Sequence, residues 1–174
     1  MGKVIYSVGP EIIQNAMLMK EIKQKTEAFF REYEDRFNQG LAGKPDVEGT
    51  AAAFAESFIE SSPVGVNAAK NDAEFRKVIP QGMEFYKSIG TQSMKIKELA
   101  VTLIDEFHVM AKVHWDSRYQ QQGRDISIEF DVVYFLRYFD GVLKIFAYVT
   151  GDEQKLLEQH GLVSKNKTPQ AAEA

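Results

Sequence analysis

The chain has 174 residues, 44% of them hydrophobic and 26% charged, with a formal net charge of −4, a composition that suits one globular unit whose core needs no metal or disulfide staple. A mild acidic excess with dispersed lysines and arginines leaves no electrostatic footprint for nucleic acid or an anionic membrane, and the absence of cysteine excludes thiol catalysis, disulfides and zinc–thiolate sites. No stretch approaches the ~20 apolar residues of a membrane span, and the charged-then-apolar order of a secretion signal is missing, so a cytoplasmic protein is expected.

Residues 11–38 are predicted to form a long amphipathic helix, because Ile12, Ala16, Met19, Ile22, Thr26, Phe29, Phe30, Tyr33 and Phe37 recur at three- and four-residue steps and Gly40 follows. Pro45-Asp46 reads as the start of a second helix capped by Asp46. It would carry Val47, Ala51, Phe54, Ala55 and Phe58 on one side and end at Ser61-Ser62-Pro63. Val64 to Ala69 suits either a short strand or an irregular loop. Asn71-Asp72 then cap a third helix with Phe75, Val78, Ile79, Met83, Phe85, Tyr86 and Ile89, in which Pro80 is expected to make a kink. A first strand is expected near Lys97 to Ile104, and two hairpins follow it. Asp152 caps a short helix, Glu153 to Gln159, ended by His160-Gly161. The reading is of one domain over 1–174, with an ordered core of about 11–162 and a tail over 163–174.

The hairpins are the most informative part of the chain. Centring the first turn in Gln120 to Asp125 sets Tyr119 opposite Ile126, Trp115 opposite Phe130, Val113 opposite Val132, Ala111 opposite Tyr134 and Val109 opposite Leu136. Asp140-Gly141 supplies the second turn and sets Leu143 beside Tyr138, Ile145 beside Leu136 and Ala147 beside Tyr134. All these residues share one sheet face, and a one-residue slip would scatter them over both. The other face pairs His114 with Asp131, Asp116 with Glu129, and His108 with Arg137. It also gathers Met110, Val133, Phe135, Phe146 and Tyr148, an apolar patch that suits a homodimer interface.

Helices followed by a meandering sheet make an α+β fold. Trp115 in Val-His-Trp-Asp and the closing run Asp-Gly-Val-Leu-Lys-Ile-Phe-Ala-Tyr, Asp140 to Tyr148, resemble the nuclear transport factor 2-like (NTF2-like) superfamily over roughly residues 20–150, closest to its SnoaL-like members of unassigned function. The resemblance implies a cystatin-like cone: three N-terminal helices packed on a curved antiparallel sheet, an apolar pocket at the open end, and frequently a homodimer. Members include isomerases, cyclases, dehydratases and transport factors, so fold alone does not give function.

The inward face of the three best-defined strands carries no Asp, Glu or His. Its polar groups are Trp115, Ser117, Tyr119, Tyr134 and Tyr138, which Tyr33 and Tyr86 can join. A ligand pocket is therefore expected around Tyr33, Tyr86, Trp115, Tyr119 and Tyr134, with each aromatic weighed against plain core packing. The candidate catalytic pair is His114 with Asp131, in which a carboxylate would orient an imidazole. The structural alternative is a cross-strand ion pair, and Asp72 is a further candidate base. The three histidines occur at no metal-ligand spacing, so neither metal nor cofactor is expected. The leading reading is a homodimeric protein that binds a small, largely apolar molecule. The alternatives are a SnoaL or ketosteroid isomerase-like enzyme working by proton transfer, and a protein-interaction module.

Overall fold

A computed structural model describes residues 10–164. The chain folds as α1 (Pro10–Leu41), α2 (Val47–Ala52), β1 (Phe54–Ser62), β2 (Gly65–Lys70), α3 (Ala73–Ser88), β3 (Thr91–Leu103), β4 (His108–Gln121), β5 (Arg124–Phe139), β6 (Val142–Val149) and α4 (Glu153–Gln159). The six strands form one sheet in the order β2-β1-β6-β5-β4-β3. Of the expected tail over 163–174, residues 165–174 lie outside the described residues.

Each short helix starts on an aspartate that accepts backbone N–H groups otherwise left without partners. Asp46 accepts from Gly49 at 2.9 Å, Asp72 from Glu74 and Phe75 at 2.9 and 3.2 Å, and Asp152 from Lys155 at 3.0 Å. α3 runs through Pro80 to Ser88. α1 lays Ile22, Thr26 and Phe30, all fully buried, onto the sheet at helical spacing. Phe30 meets Tyr134 at 5.0 Å between ring centroids, and Tyr33 meets Trp115 at 6.4 Å. The core thus sits between α1 and the inward faces of β4, β5 and β6.

Two departures from the expected layout matter. The second helix stops at Ala52, and Phe54 to Ser62 is a strand that hairpins with β2 and runs parallel to β6. The sheet is therefore mixed rather than antiparallel, and a β-hairpin stands between the second and third helices. Phe54 and Phe58 face the core as expected, because a spacing of four residues returns a side chain to the same face in a strand as well as in a helix.

The second departure is in β6. The β4–β5 register is the expected one throughout, around a two-residue turn in which Gln122 and Gly123 both have positive φ. In β5–β6, Tyr138 pairs with Leu143 and Leu136 with Ile145, as expected. Phe146 is then an extra residue, so Ala147 pairs with Phe135 and Tyr148 with Tyr134. This bulge turns Tyr148 inward, where it is buried against Phe54 and Tyr134. Tyr148 therefore leaves the outward apolar patch. Val149, beside Val133, and Ile59, beside Ala147, extend that patch instead.

Candidate ligand cavity

Sheet and helices enclose a cavity of about 290 Å³. Tyr33 and Phe37 enter it from one face of α1, four residues apart. Tyr86 enters from α3. Trp115, Ser117 and Tyr119 enter from alternate positions of β4, and Phe130, Val132 and Tyr134 from β5. β6 contributes Tyr148 through its bulge, β1 contributes Glu60, and the α4 end contributes Asp152, Glu153, Leu156 and Leu157. The five aromatic residues expected at a pocket, Tyr33, Tyr86, Trp115, Tyr119 and Tyr134, all line this one space. Tyr138 does not, and instead donates its hydroxyl to Glu21 at 3.1 Å.

The phenols are held protonated. Burial pushes Tyr33 and Tyr119 up to about 12. Burial likewise raises Tyr86 and Tyr134 well above the ordinary value, with Glu153 adding to the shift at Tyr86 and the Tyr33 hydroxyl adding at Tyr134. At neutral pH the cavity therefore presents neutral O–H donors and the indole of Trp115. Two carboxylates accompany them. Glu60 is buried and opposite Tyr148 in the β1–β6 register, and Glu153 accepts the Tyr86 hydroxyl at 2.8 Å.

His114 and Asp131 lie on the outward face and do not line the cavity. His114 Nδ1 is 2.7 Å from Asp131 and its Nε2 is 3.0 Å from Glu129. Lys97 and Lys112 flank the pair through Glu129 at 2.6 Å and Asp131 at 2.8 Å. A carboxylate oxygen faces each imidazole nitrogen, and these two hydrogen bonds raise the pKa of the ring and favour the imidazolium, a poor base, within an alternating charge ladder. Asp116 next to it is nearly buried and is held by Arg118 at 2.8 Å and Ser127 at 2.6 Å. His108, opposite Arg137 in the register as expected, pairs with Asp105 at 2.9 Å. Asp72 caps α3 and lines no part of the cavity. Thr150, which follows β6, lines the cavity. Among the described residues no cluster of His, Cys, Asp and Glu is placed to hold a metal ion, and no helix is long and apolar enough to cross a membrane.

Glu60, Glu153 and Tyr148 are among the cavity residues that sequence reasoning missed. Glu60 was hidden by the helical reading of β1, although Pro63-Val64, between two short runs, is a hairpin signal. Glu153 reads as an ordinary first-turn acidic residue of α4. The bulge that turns Tyr148 inward left no mark in the sequence that we can identify.

Residues 21–153 match the profile of a family described as NTF2-like protein (DUF6841). No curated protein matches the chain. An NTF2-like protein with a cystatin-like fold from Novosphingobium aromaticivorans is similar at a TM-score of 0.67 and 14% identity, over 91% of this chain and 99% of that one. A candidate scytalone dehydratase from the same organism is similar at a TM-score of 0.60 and 14% identity, over 78% and 86%. An NTF2-like protein of unknown function from Shewanella oneidensis is similar at a TM-score of 0.55 and 14% identity, over 77% and 98%. At these identities the likeness is one of fold.

Proposed function

The chain belongs to the family of NTF2-like proteins (DUF6841), and from that premise we propose that it binds one small, largely apolar molecule inside its cone. The observation that carries this reading is the aromatic cavity itself. Its volume of about 290 Å³ suits a fragment-sized ligand, and its few convergent polar groups would orient that ligand. Trp115, the single tryptophan, is fully buried on the cavity wall and reports occupancy directly. Titration with small apolar compounds is expected to change Trp115 fluorescence saturably. Val132→Phe, which puts a ring into the space, is expected to weaken that binding at least about tenfold while circular dichroism stays unchanged. Equal binding by wild type and Val132→Phe would place the ligand elsewhere.

Glu60 and Glu153 favour a second reading, a SnoaL-like enzyme of proton transfer. A carboxylate inside an apolar cavity serves as a base, and neutral phenols stabilise the oxyanion that forms. The candidate scytalone dehydratase of the same fold is consistent with such chemistry. Exchange of the α-protons of a bound ketone with deuterated solvent, followed by NMR, tests it. The reading requires exchange that Glu60→Gln or Glu153→Gln slows by ~100-fold.

A further inference from the structure

We propose that the cavity recognises an apolar molecule through one hydrogen-bond-accepting oxygen of the carbonyl type, held by the hydroxyls of Tyr33 and Tyr119. The inference rests on the pocket reading above and specifies the polar group of its ligand. It holds whether or not a reaction follows binding.

The phenols and the indole of the expected pocket sort by what their protons meet. Trp115, Tyr134 and Tyr33 lie together on the wall, with the Tyr33 ring 6.4 Å from Trp115 and 6.0 Å from Tyr134. An indole N–H can only donate. That of Trp115 donates to the Tyr134 hydroxyl, which in turn donates to Tyr33. Three protons make two bonds, so the Tyr33 proton is left over. Ser117 and Tyr119 stand two residues apart on β4, and both line the cavity. The Ser117 hydroxyl donates to the Tyr119 oxygen, so the Tyr119 proton is left over as well. Tyr86 differs from both, because its proton goes to Glu153 at 2.8 Å.

Tyr33 and Tyr119 each act on the Tyr86 hydroxyl, so their oxygens border one region of the space. Burial keeps both phenols protonated. A donor without an acceptor in such a site carries a free-energy cost, which an accepting atom on the ligand offsets. A carbonyl oxygen brings two lone pairs and no proton, and so accepts from two phenols at once. A ligand hydroxyl would bring a further proton to place, and a hydrocarbon would meet neither donor.

Cyclohexanone and methylenecyclohexane have nearly one shape and differ in that oxygen. Each is titrated against Trp115 fluorescence of the full chain, and infrared difference spectroscopy reads the carbonyl stretch of the bound ketone. In wild type the stretch is expected below its frequency in hexane, because donation to the oxygen weakens the C=O bond. Tyr33→Phe and Tyr119→Phe are each expected to lower the ratio of ketone to hydrocarbon affinity about tenfold and to reverse part of the frequency shift. Tyr138→Phe, whose hydroxyl lies outside the cavity and meets Glu21, is expected to change neither quantity.

A wild-type stretch at the hexane frequency, binding of the hydrocarbon alone, or an affinity ratio that both cavity variants leave unchanged overturns the acceptor proposal and leaves the pocket reading in place. The infrared measurement on wild type decides even where a variant fails to fold. If neither probe changes the fluorescence, the cavity is closed to ligands and both readings fall.

Discussion

His114 shows how one side chain reports on its surroundings. Its hydrogen bonds to Glu129 and Asp131 raise its pKa above the ordinary 6.5. The groups facing it are Glu98, opposite on β3, Asp116 and Lys112 on its own strand, and Glu129 and Asp131 on β5, with Lys97 beyond Glu129. A pKa raised by folding contributes stability that is whole below the unfolded value and is lost as pH rises through the folded one. The carboxylates run the other way. Lys97 first and His114 second lower Glu129 from 4.5, and Lys112 first and His114 second lower Asp131 from 3.8. Their contribution is present above those ordinary values and is lost as pH falls through the lowered ones. The ladder is therefore complete between pH 4.5 and 6.5. Wild type should exceed His114→Gln in stability at pH 6, by a small margin because the ladder is exposed, and should lose that margin by pH 9. Urea unfolding at the two values checks this, and an equal margin at both would mean the imidazolium does not contribute. The pairing itself was legible from β-strand register alone, but its sidedness decided its meaning.

At the scale of elements, Gly90 joins α3 to β3 where no side chain fits. Its φ is +85°, its carbonyl accepts from Gln120 at 2.8 Å, and an added Cβ would fall against the Gln120 backbone carbonyl. Gly90→Ala should lose about 2 kcal/mol or more, by strain and by displacement of β4. Gly43 is the internal control. Its φ is +82° but nothing lies within 4 Å of the added atom, so Gly43→Ala should lose only about 1 kcal/mol. Chemical denaturation of both variants measures the difference. How far elements can be read from sequence depends on whether local signals are unambiguous. The β4–β5 hairpin and the three aspartate caps were legible because turn chemistry and period two agree. β1 was not, because Phe54 and Phe58 satisfy both periods and the strand is stabilised by β6, far away in sequence. The β6 bulge was not either, since an extra residue in a strand has no composition of its own and is set by the two neighbours it must pair with.

For the whole molecule, the outward sheet face leads us to propose a homodimer. Met110, Val133, Phe135 and Phe146 remain there, partly buried, and the half-exposed Ile59 and Val149 widen the strip across β1 and β6. A contiguous apolar strip beside a ladder of alternating charge is a self-complementary surface under a two-fold axis. Sedimentation equilibrium should give the mass of two chains. Phe135→Glu, which puts a charge at the centre of the strip, should give the mass of one chain with unchanged secondary structure. A wild-type monomer at tens of micromolar would remove this reading without touching the cavity. The cone and its aromatic lining were legible at this scale because they follow from the register of the long strands. The acidic wall was not, since Glu60 and Glu153 come from β1 and the start of α4, outside the hairpin whose register could be read.

The parallel pairing of β1 with β6 also dictates an order of events during synthesis. Ala52 and Lys144, joined by a hydrogen bond at the start of that pairing, are 92 residues apart in the chain. Until β6 has left the ribosome, Phe54 and Phe58 lack the strand beside them, and the β1–β2 hairpin is an open-edged ribbon with apolar side chains in water. The last long strand to be made is thus the one that locks the first in place. Folding of this chain should be slow relative to its size, and its nascent N-terminal half should be the segment that most needs a chaperone.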